Sequence, residues 1–335
     1  MGRKDDDLGA SRLKALIIGC GNIAGGYDLR GSKREVWTHA KAYQQNPGID
    51  LIGVIDSSAQ VARKFARTWD VPYSGTQLIP ALKAVKPDVV SICSPTTTHV
   101  PLIETLCGAG IGAILCEKPL AHDLRAADRA VELCEKKGVL LAVNYQRNWD
   151  REMNRLGKAV AAGEFGRAEF VRVLYSKGLV HNGSHFVSLL DRWFGNLEVR
   201  KVLDCFDLSA QEVKADFIAS SPAASRILFH SIPEHTYVLN ELEVLFERGR
   251  LELRRDGLDA FWTDRHHDPL LPNDIALAAK SKRLPVTLPR AMVDVIQNFI
   301  AAFRGTEQLE SNPQAALRTL RFCARVRTLA RQRHA

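Results

Sequence analysis

The run Gly19-Cys20-Gly21-Asn22-Ile23-Ala24 follows directly on an apolar stretch, Leu13–Ile18, and matches the pattern GxGxxA. Two glycines let a backbone turn sharply and approach a pyrophosphate, and a small third residue lets a helix pack close to a strand. The N-terminus of that helix adds N–H donors and the positive end of a dipole. Gly19, Gly21, Asn22, Ile23 and Ala24 are therefore the expected pyrophosphate contacts. Asp56 closes the next apolar run, where a carboxylate can accept hydrogen bonds from the adenosine ribose and repel a 2′-phosphate. That favours NAD. Asp56 lies further on than the usual spacing of about 20 residues. An insertion with Gly25, Gly26 and Gly31 and with Asp28, Arg30, Lys33, Arg34 and Glu35 accounts for the excess. Its basic residues could reach a 2′-phosphate, which keeps NADP open.

A third apolar run, Val89–Ile92, leads into Cys93-Ser94-Pro95-Thr96, with His99 just beyond. Ligands of an open α/β sheet gather at the carboxyl ends of its strands, so Ser94, Pro95, Thr96 and His99 are candidates to line a dinucleotide channel. Ser, Pro and Thr also serve as turn and helix-cap residues, and both roles fit this segment. After Ala113–Cys116 comes Glu117-Lys118-Pro119, a carboxylate and an amine where a substrate would meet a nicotinamide. The proline disfavours helix at Lys118 and permits a cis bond. Partial burial would bring the lysine toward proton-transfer range; a solvated surface lysine is the plain alternative. His185, taken by itself, reads as a histidine at a helix start.

The elements that must carry these residues alternate from Leu13 to Val143. Compact apolar runs (Leu13–Ile18, Leu51–Ile55, Val89–Ile92, Ala113–Cys116, Val139–Val143) read as strands buried on both faces. Between them Ser58–Arg67, Thr76–Val85, Val100–Cys107 and Leu124–Lys136 have helical periodicity, the last capped by Asp123 and stopped by Gly138. This is the grammar of a doubly wound parallel sheet.

Beyond about Trp149 the pattern changes. A helix over Arg151–Ala162 is followed by strand-like runs at Glu169–Tyr175, Val199–Phe206, Arg226–His230, Thr236–Phe246 and Arg250–Arg254. Two helices close the chain, Arg290–Phe303 and Pro313–Ala330, the second opened by Ser311 or Asn312. The expectation is an α/β protein with a Rossmann domain over residues 12–147 and an α+β domain over 148–335. The second domain holds a large, open, mainly antiparallel sheet.

The 335 residues suffice for two cores, since single cores rarely pass about 250 to 300 residues. No run approaches the roughly 18 apolar residues of a membrane span. The polar start, Met1 to Arg12, lacks a signal-like apolar stretch and reads as a frayed terminus. Seven cysteines, without a zinc-like CxxC pair, read as reduced residues of a cytoplasmic protein, and no metal site is expected. The net charge of +8 is spread along the chain without a nucleic-acid motif, so the partner expected is a small molecule and neither nucleic acid nor membrane. The densest basic run, Arg318 to Arg333, reads as the solvated face of the last helix.

GCGNIA at residues 19–24, CEKPLA at 116–121 and NYQRNWD at 144–150 stand in the order and spacing of the glucose–fructose oxidoreductase, inositol dehydrogenase and rhizopine catabolism (Gfo/Idh/MocA) family. Gly178-Leu179-Val180-His181-Asn182-Gly183-Ser184-His185, running into Phe186–Phe194, resembles that family's histidine-bearing segment. The resemblance implies NAD or NADP held by the first domain, and an open sheet used for homo-oligomer contacts, a dimer or tetramer. It assigns Lys118 and His185 catalytic roles and places Tyr145, Arg147, His181 and Asn182 near substrate. Glu117 joins Lys118 on the cofactor side. Many members carry an aspartate four residues before the histidine, whereas here that position is His181, and two histidines cannot reproduce a carboxylate–imidazolium pair.

The reaction so implied is hydride transfer between a nicotinamide and a secondary alcohol or ketone of a sugar, cyclitol or nucleotide-linked sugar. Two other classes fit the same motifs. One is an NAD-dependent glycosidase using transient oxidation; the other is a dinucleotide-binding regulator without turnover.

Overall fold

The computed structural model describes residues 11–209 and 211–334, so the acidic stretch Asp5 to Asp7 lies outside the described residues. The chain divides into two compact units. The first comprises residues up to Ala121, Asp128–Asn144 and Met292–Glu310; the second comprises His122–Ala127, Tyr145–Ala291 and residues from Ser311 on.

In the first unit six parallel strands, β1 (Leu13–Ile18), β2 (Ile49–Ile55), β3 (Tyr73–Gly75), β4 (Val89–Ile92), β5 (Ala113–Cys116) and β6 (Leu140–Val143), form a sheet in the order β3-β2-β1-β4-β5-β6. That is the doubly wound order, with its topological switch between β1 and β4. Every residue of β4 and β5 is buried, Ser91 included, as expected of strands covered on both faces. The crossovers carry helices α1 (His39–Gln44), α2 (Ala59–Trp69), α3 (Leu78–Val85), α4 (His99–Gly108) and α5 (Leu124–Lys137). Asp123 accepts the Ala126 amide at 2.8 Å at the start of α5, and Gly138 beyond its end has φ +66°, which a glycine adopts at no steric cost. Two short elements, β3 and α1, were not marked by periodicity: three half-buried residues and six helical residues hold too little pattern.

The second unit adds α6 (Arg151–Ala161), β7 (Ala168–Tyr175), α7 (Ser184–Phe194), β8 (Glu198–Leu208), β9 (Val213–Ser221), β10 (Ala224–Ser231), β11 (Asn240–Phe246), β12 (Gly249–Arg254), β13 (Asp259–His267), β14 (Ile275–Leu277) and β15 (Lys282–Leu284). After α8 (Ala291–Phe303), which from Met292 on belongs to the first unit, α9 (Pro313–His334) closes the chain. The strands run in the order β14-β13-β12-β11-β7-β10-β9-β8, with β15 beside β13; only β7 and β10 pair in parallel. Alternation at period two sends Val213, Ala215, Phe217 and Ala219 of β9 to one face, where they pack with Phe186 and Leu190 of α7 and Phe322 and Val326 of α9. The opposite face is charged, with Arg172 paired to Glu243 at 3.0 Å and Arg254 to Glu252 at 2.7 Å. Asn312 Oδ1 accepts the Ala315 amide at 2.9 Å, which makes Asn312 the N-cap of α9. Arg318, Arg321 and Arg325 line the exposed side of that helix, while Leu317, Leu320 and Val326 are buried.

Candidate functional site

The first unit's site follows from strand register. Ile18 of β1 pairs with Ile55 of β2 and Ile92 of β4, Ile92 with Cys116 of β5, and Cys116 with Val143 of β6. The residues that follow, Asp56, Gly19, Cys93, Glu117 and Asn144, therefore stand in one row along the carboxyl edge of the sheet. Backbone bonds continue past the strands to hold that row: Gly19 N–H to Ile55 O at 2.8 Å, Cys93 to Ile18 at 2.7 Å, Glu117 to Ile92 at 3.0 Å and Asn144 to Cys116 at 2.8 Å.

Gly19 has φ +89°, and a Cβ there would lie 2.7 Å from the backbone nitrogen of Ser94. Its glycine is demanded by the fold itself. A Cβ on Gly21 would meet no protein atom within 4 Å. The exposed loop thus leaves open space over its second glycine, room in which a pyrophosphate can approach the main chain, so the residues present fit a dinucleotide. The helix expected after this loop is a single turn, closed by Gly25 N–H to Gly21 O at 3.2 Å. The chain then makes the excursion of residues 26–38 and resumes in α1, whose first amides return to Ile23 O (3.2 Å, from His39) and Ala24 O (2.8 Å, from Ala40). Asp28, with its side chain fully buried, closes the excursion by accepting the amides of Trp37 (3.0 Å) and Thr38 (2.9 Å) and the Thr38 hydroxyl (2.7 Å). Arg30, Lys33 and Arg34 are exposed on it.

Asp56 accepts the Cys20 amide on Oδ2 and the Ser58 amide on Oδ1, both at 2.9 Å, so the expected ribose acid also binds the glycine loop to the start of α2. Ser94 shares a 2.6 Å hydrogen bond with Thr98 at the entry to α4, and Thr96 lies in the short 3-10 turn between them. Pro95 is exposed. His99 is buried, and its two ring nitrogens face the carbonyl oxygens of Ser94 (2.9 Å) and Pro119 (3.0 Å). It joins the loop after β4 to the loop after β5, leaving no ring nitrogen for a ligand. Burial lowers its pKa despite those two carbonyls.

Glu117 and Lys118 end β5, and the Lys118–Pro119 peptide is cis. Lys118 is half-buried; Glu117 is buried. Glu117 Oε1 meets His39 Nε2 at 2.8 Å and accepts the Asn144 amide at 2.6 Å. Burial alone would raise its pKa, but the hydrogen bonds from His39 and Asn144 and the Lys118 charge outweigh it, and the carboxyl titrates below its ordinary range. Behind His39 stand Ser91, 2.9 Å from its Nδ1, and Tyr43, 2.7 Å from the Ser91 hydroxyl. Sequence reasoning passed over His39, Tyr43 and Ser91, and took Asn144 only as the first residue of NYQRNWD. The one local signal was Ser91, a hydroxyl inside the apolar run Val89–Ile92.

In the second unit, Gly178 (φ +93°) opens a five-residue π-helical turn, Leu179–Gly183, that runs into α7. The carboxylate of Glu212 receives the amides of Val180 (2.7 Å) and His181 (2.8 Å), and a Cβ on Gly178 would lie 2.2 Å from it. His181 is exposed, Asn182 and His185 half-buried. Tyr145 is buried, its ring edge-on to His185 with centroids 5.8 Å apart, and its hydroxyl bonds Ser184. Burial holds that phenol well above its usual range. Arg147 lies over the Phe186 ring, 5.4 Å from its centroid, and donates to Asp256 O at 2.6 Å. Burial lowers its pKa. Tyr145, Arg147 and His185 are thus gathered around the start of α7. Among the described residues no cluster of three or more His, Cys, Asp or Glu could hold a metal, and no helix is long and apolar enough to cross a membrane.

A parallel sheet in this order, with a glycine loop, an acidic residue and a lysine on its carboxyl edge, defines a nicotinamide-dinucleotide-binding Rossmann domain. Residues 13–145 match the family model described as an oxidoreductase family with an NAD-binding Rossmann fold. That match ends at residue 145, so it is the N-terminal part of the chain that is similar to this family. It is 24% identical over 263 residues to D-apiose dehydrogenase of Paraburkholderia graminis, across 74% of this chain and 66% of that one. To inositol 2-dehydrogenase of Rhizobium meliloti it is 31% identical over 147 residues, 44% of each chain. The matched regions thus span between about half and two thirds of these relatives. Among solved structures, a mutant 3-ketoreductase from Actinomadura kijaniata in complex with TDP-benzene and NADP superimposes with a TM-score of 0.77, at 17% identity, over 95% of this chain and 98% of that one.

Proposed function

We propose that this protein is an NAD(P)-dependent oxidoreductase acting on a CH–OH group of a sugar, cyclitol or nucleotide-linked sugar. When bound, the nicotinamide supplies the redox chemistry, accepting or giving hydride at C4. The observation that carries the proposal is the row along the sheet edge: Lys118 follows Glu117, in register with the glycine loop and Asp56. Lys118 binds the reacting oxygen, and Lys118 or His185 takes or gives its proton. Tyr145 braces the His185 ring, and Arg147, His181 and Asn182 orient the substrate. Ser94, Pro95 and Thr96 border the cofactor beside Gly19. Asp56 favours NAD over NADP by repelling a 2′-phosphate. The substrate class draws on the relatives, which include enzymes named for D-apiose and inositol. The open face of the second sheet is proposed to join copies of the chain.

The test is Lys118→Met, assayed with NAD and NADP over a panel of polyols and nucleotide sugars. Turnover should fall by about 10²–10⁴-fold with dinucleotide affinity kept. Equal turnover removes Lys118 from the mechanism. Aryl-glycoside cleavage without NADH accumulation by the unaltered protein would replace the reading with a glycosidase, and nucleotide binding without any turnover would replace it with a regulator.

A further inference from the structure

The four groups behind Glu117 form a hydrogen-bonded chain whose direction is set by its own protons. Tyr43 is buried, and among the described residues its hydroxyl has one hydrogen-bond partner, the Ser91 oxygen at 2.7 Å. A buried hydroxyl that donates to nothing is costly, so Tyr43 donates to Ser91. Ser91 must then send its single proton to His39 Nδ1, and His39 must carry its own on Nε2, where it meets Glu117. Every proton is used once, with a neutral imidazole and an ionised carboxylate. Reversing the chain strands the tyrosine proton.

The helix that brings His39 here explains the pairing with Tyr43: the two are four residues apart in α1 and so share a face. That helix is fixed in turn by the Thr38 cap and the Asp28 carboxylate beneath it. Tyr43 ends the chain inside the core, so the chain holds a charge in place and carries no proton to solvent. We infer that His39 is a positioning residue for the proposed reaction: it fixes the Glu117 carboxylate beside Lys118, while Ser91 and Tyr43 fix the tautomer that lets it do so. The inference rests on the assignment of Lys118 above. Its physical content is that a fixed negative charge favours the ammonium form of its neighbour. The other groups that face Glu117 are Asn144 on the edge after β6, Cys93 and Cys116 at the ends of β4 and β5, and His99 of α4, whose thiol and imidazole pKa values shift against the charged form. Of the side chains named, only Lys118 offers a charge that Glu117 can stabilise.

Three measurements test it, the first two on protein without added nucleotide. Imidazole ¹⁵N NMR of the unaltered protein should show His39 as neutral with the proton on Nε2; a proton on Nδ1, or a doubly protonated ring at neutral pH, overturns the chain. Reductively ¹³C-methylated protein, with Lys118 assigned by Lys118→Arg, should show the Lys118 titration moving down by about one pH unit in His39→Ala and by less in Ser91→Ala. Ser91→Ala keeps the imidazole and its packing, so it stands in where His39→Ala fails to fold. In turnover, the limb of the kcat profile that Lys118 governs should move the same way, with kcat lowered on the order of tenfold, less than the loss for Lys118 itself. An unmoved Lys118 titration in folded variants overturns the inference and leaves the redox assignment standing; a silent Lys118→Met overturns the redox assignment and with it the role inferred for His39, even where the Lys118 titration moves.

Discussion

Asp56 Oδ2 accepts the backbone amide of Cys20 at 2.9 Å, so the acid at the end of β2 grips the middle of the glycine loop that it serves. Its second oxygen takes the Ser58 amide at the start of α2. The same carboxylate thus shapes the glycine loop and is the acid proposed to read the ribose. Asp56→Ala should cost more than a ribose contact. We expect a loss of about 1.5–3 kcal/mol in stability from the two charge-assisted bonds, seen as a lower urea midpoint. Calorimetry should show NAD affinity reduced and the NAD-to-NADP ratio moved toward NADP. A variant with full NAD affinity would detach Asp56 from the ribose.

The two glycines of the loop answer to different constraints, and substitution should separate them. Gly19→Ala places a Cβ against the Ser94 backbone in a left-handed conformation and should unfold the protein at a lower temperature. Gly21→Ala meets no protein atom, so the melting temperature without nucleotide should be unchanged while dinucleotide affinity falls. A Gly21→Ala protein that binds NAD normally would mean that the cofactor does not approach this loop.

The difference between these two glycines was invisible in the sequence, which presents them as equivalent members of one pattern. What was legible came from elements with a single dominant constraint. Strands β1, β4 and β5 are apolar because both faces are covered, and their bounds match the expectation residue for residue. α7 was visible only as an apolar run from Phe186. Eight of its eleven residues are buried, Ser184, Phe186, Val187, Ser188, Leu189, Leu190, Trp193 and Phe194, so no polar stripe marked its period. β9 was passed over although Lys214 and Asp216 alternate with the inward Val213, Ala215 and Phe217, because two alanines and two serines among its nine residues leave few of the bulky side chains that mark a strand.

The candidate site divides the same way. Gly19, Asp56, Lys118 and His185 stand in motifs read locally. His39 reaches Ser91 across 52 residues and Glu117 across 78, and no local pattern encodes contacts of that range. The buried histidine became meaningful only when the crossover brought α1 over the edge of β4 and β5.

Glu212 offers a third test, on the second unit. Its carboxylate receives the Val180, His181 and Val213 amides at 2.7, 2.8 and 2.9 Å, and it occupies the space that a side chain at position 178 would need. Glu212→Ala should loosen the turn that presents His181 and His185. The expected result is a fall in kcat with nucleotide affinity retained, and a stability loss of about 2 kcal/mol by urea titration. Gly178→Ala should be worse, since it meets both the Glu212 side chain and a φ of +93°. Unchanged kcat in a stable Glu212→Ala protein would show that the turn holds its shape without the carboxylate.

His99 sets an acid limit on the first unit. Its two ring nitrogens face the carbonyls of Ser94 and Pro119, and a neutral ring can donate to only one of them. Protonation would satisfy both, but burial is the larger effect and the pKa falls below the ordinary 6.5. The sign follows: the unfolded chain takes up the His99 proton before the folded one does, so stability is complete above about pH 6.5 and declines as pH falls toward the lowered folded value. At its steepest the slope is about 1.4 kcal/mol per pH unit for one proton. Glu117, whose pKa is lowered from 4.5, adds its own loss only in more acidic solution, so the difference between the unaltered protein and a His99 variant from pH 6.5 to 5 reports the histidine. His99→Gln supplies two amide hydrogens and no titrating group. Urea unfolding at several pH values should show its stability falling less across that interval than that of the unaltered protein. Parallel curves would place the acid sensitivity elsewhere and return His99 to the residues free to meet a ligand.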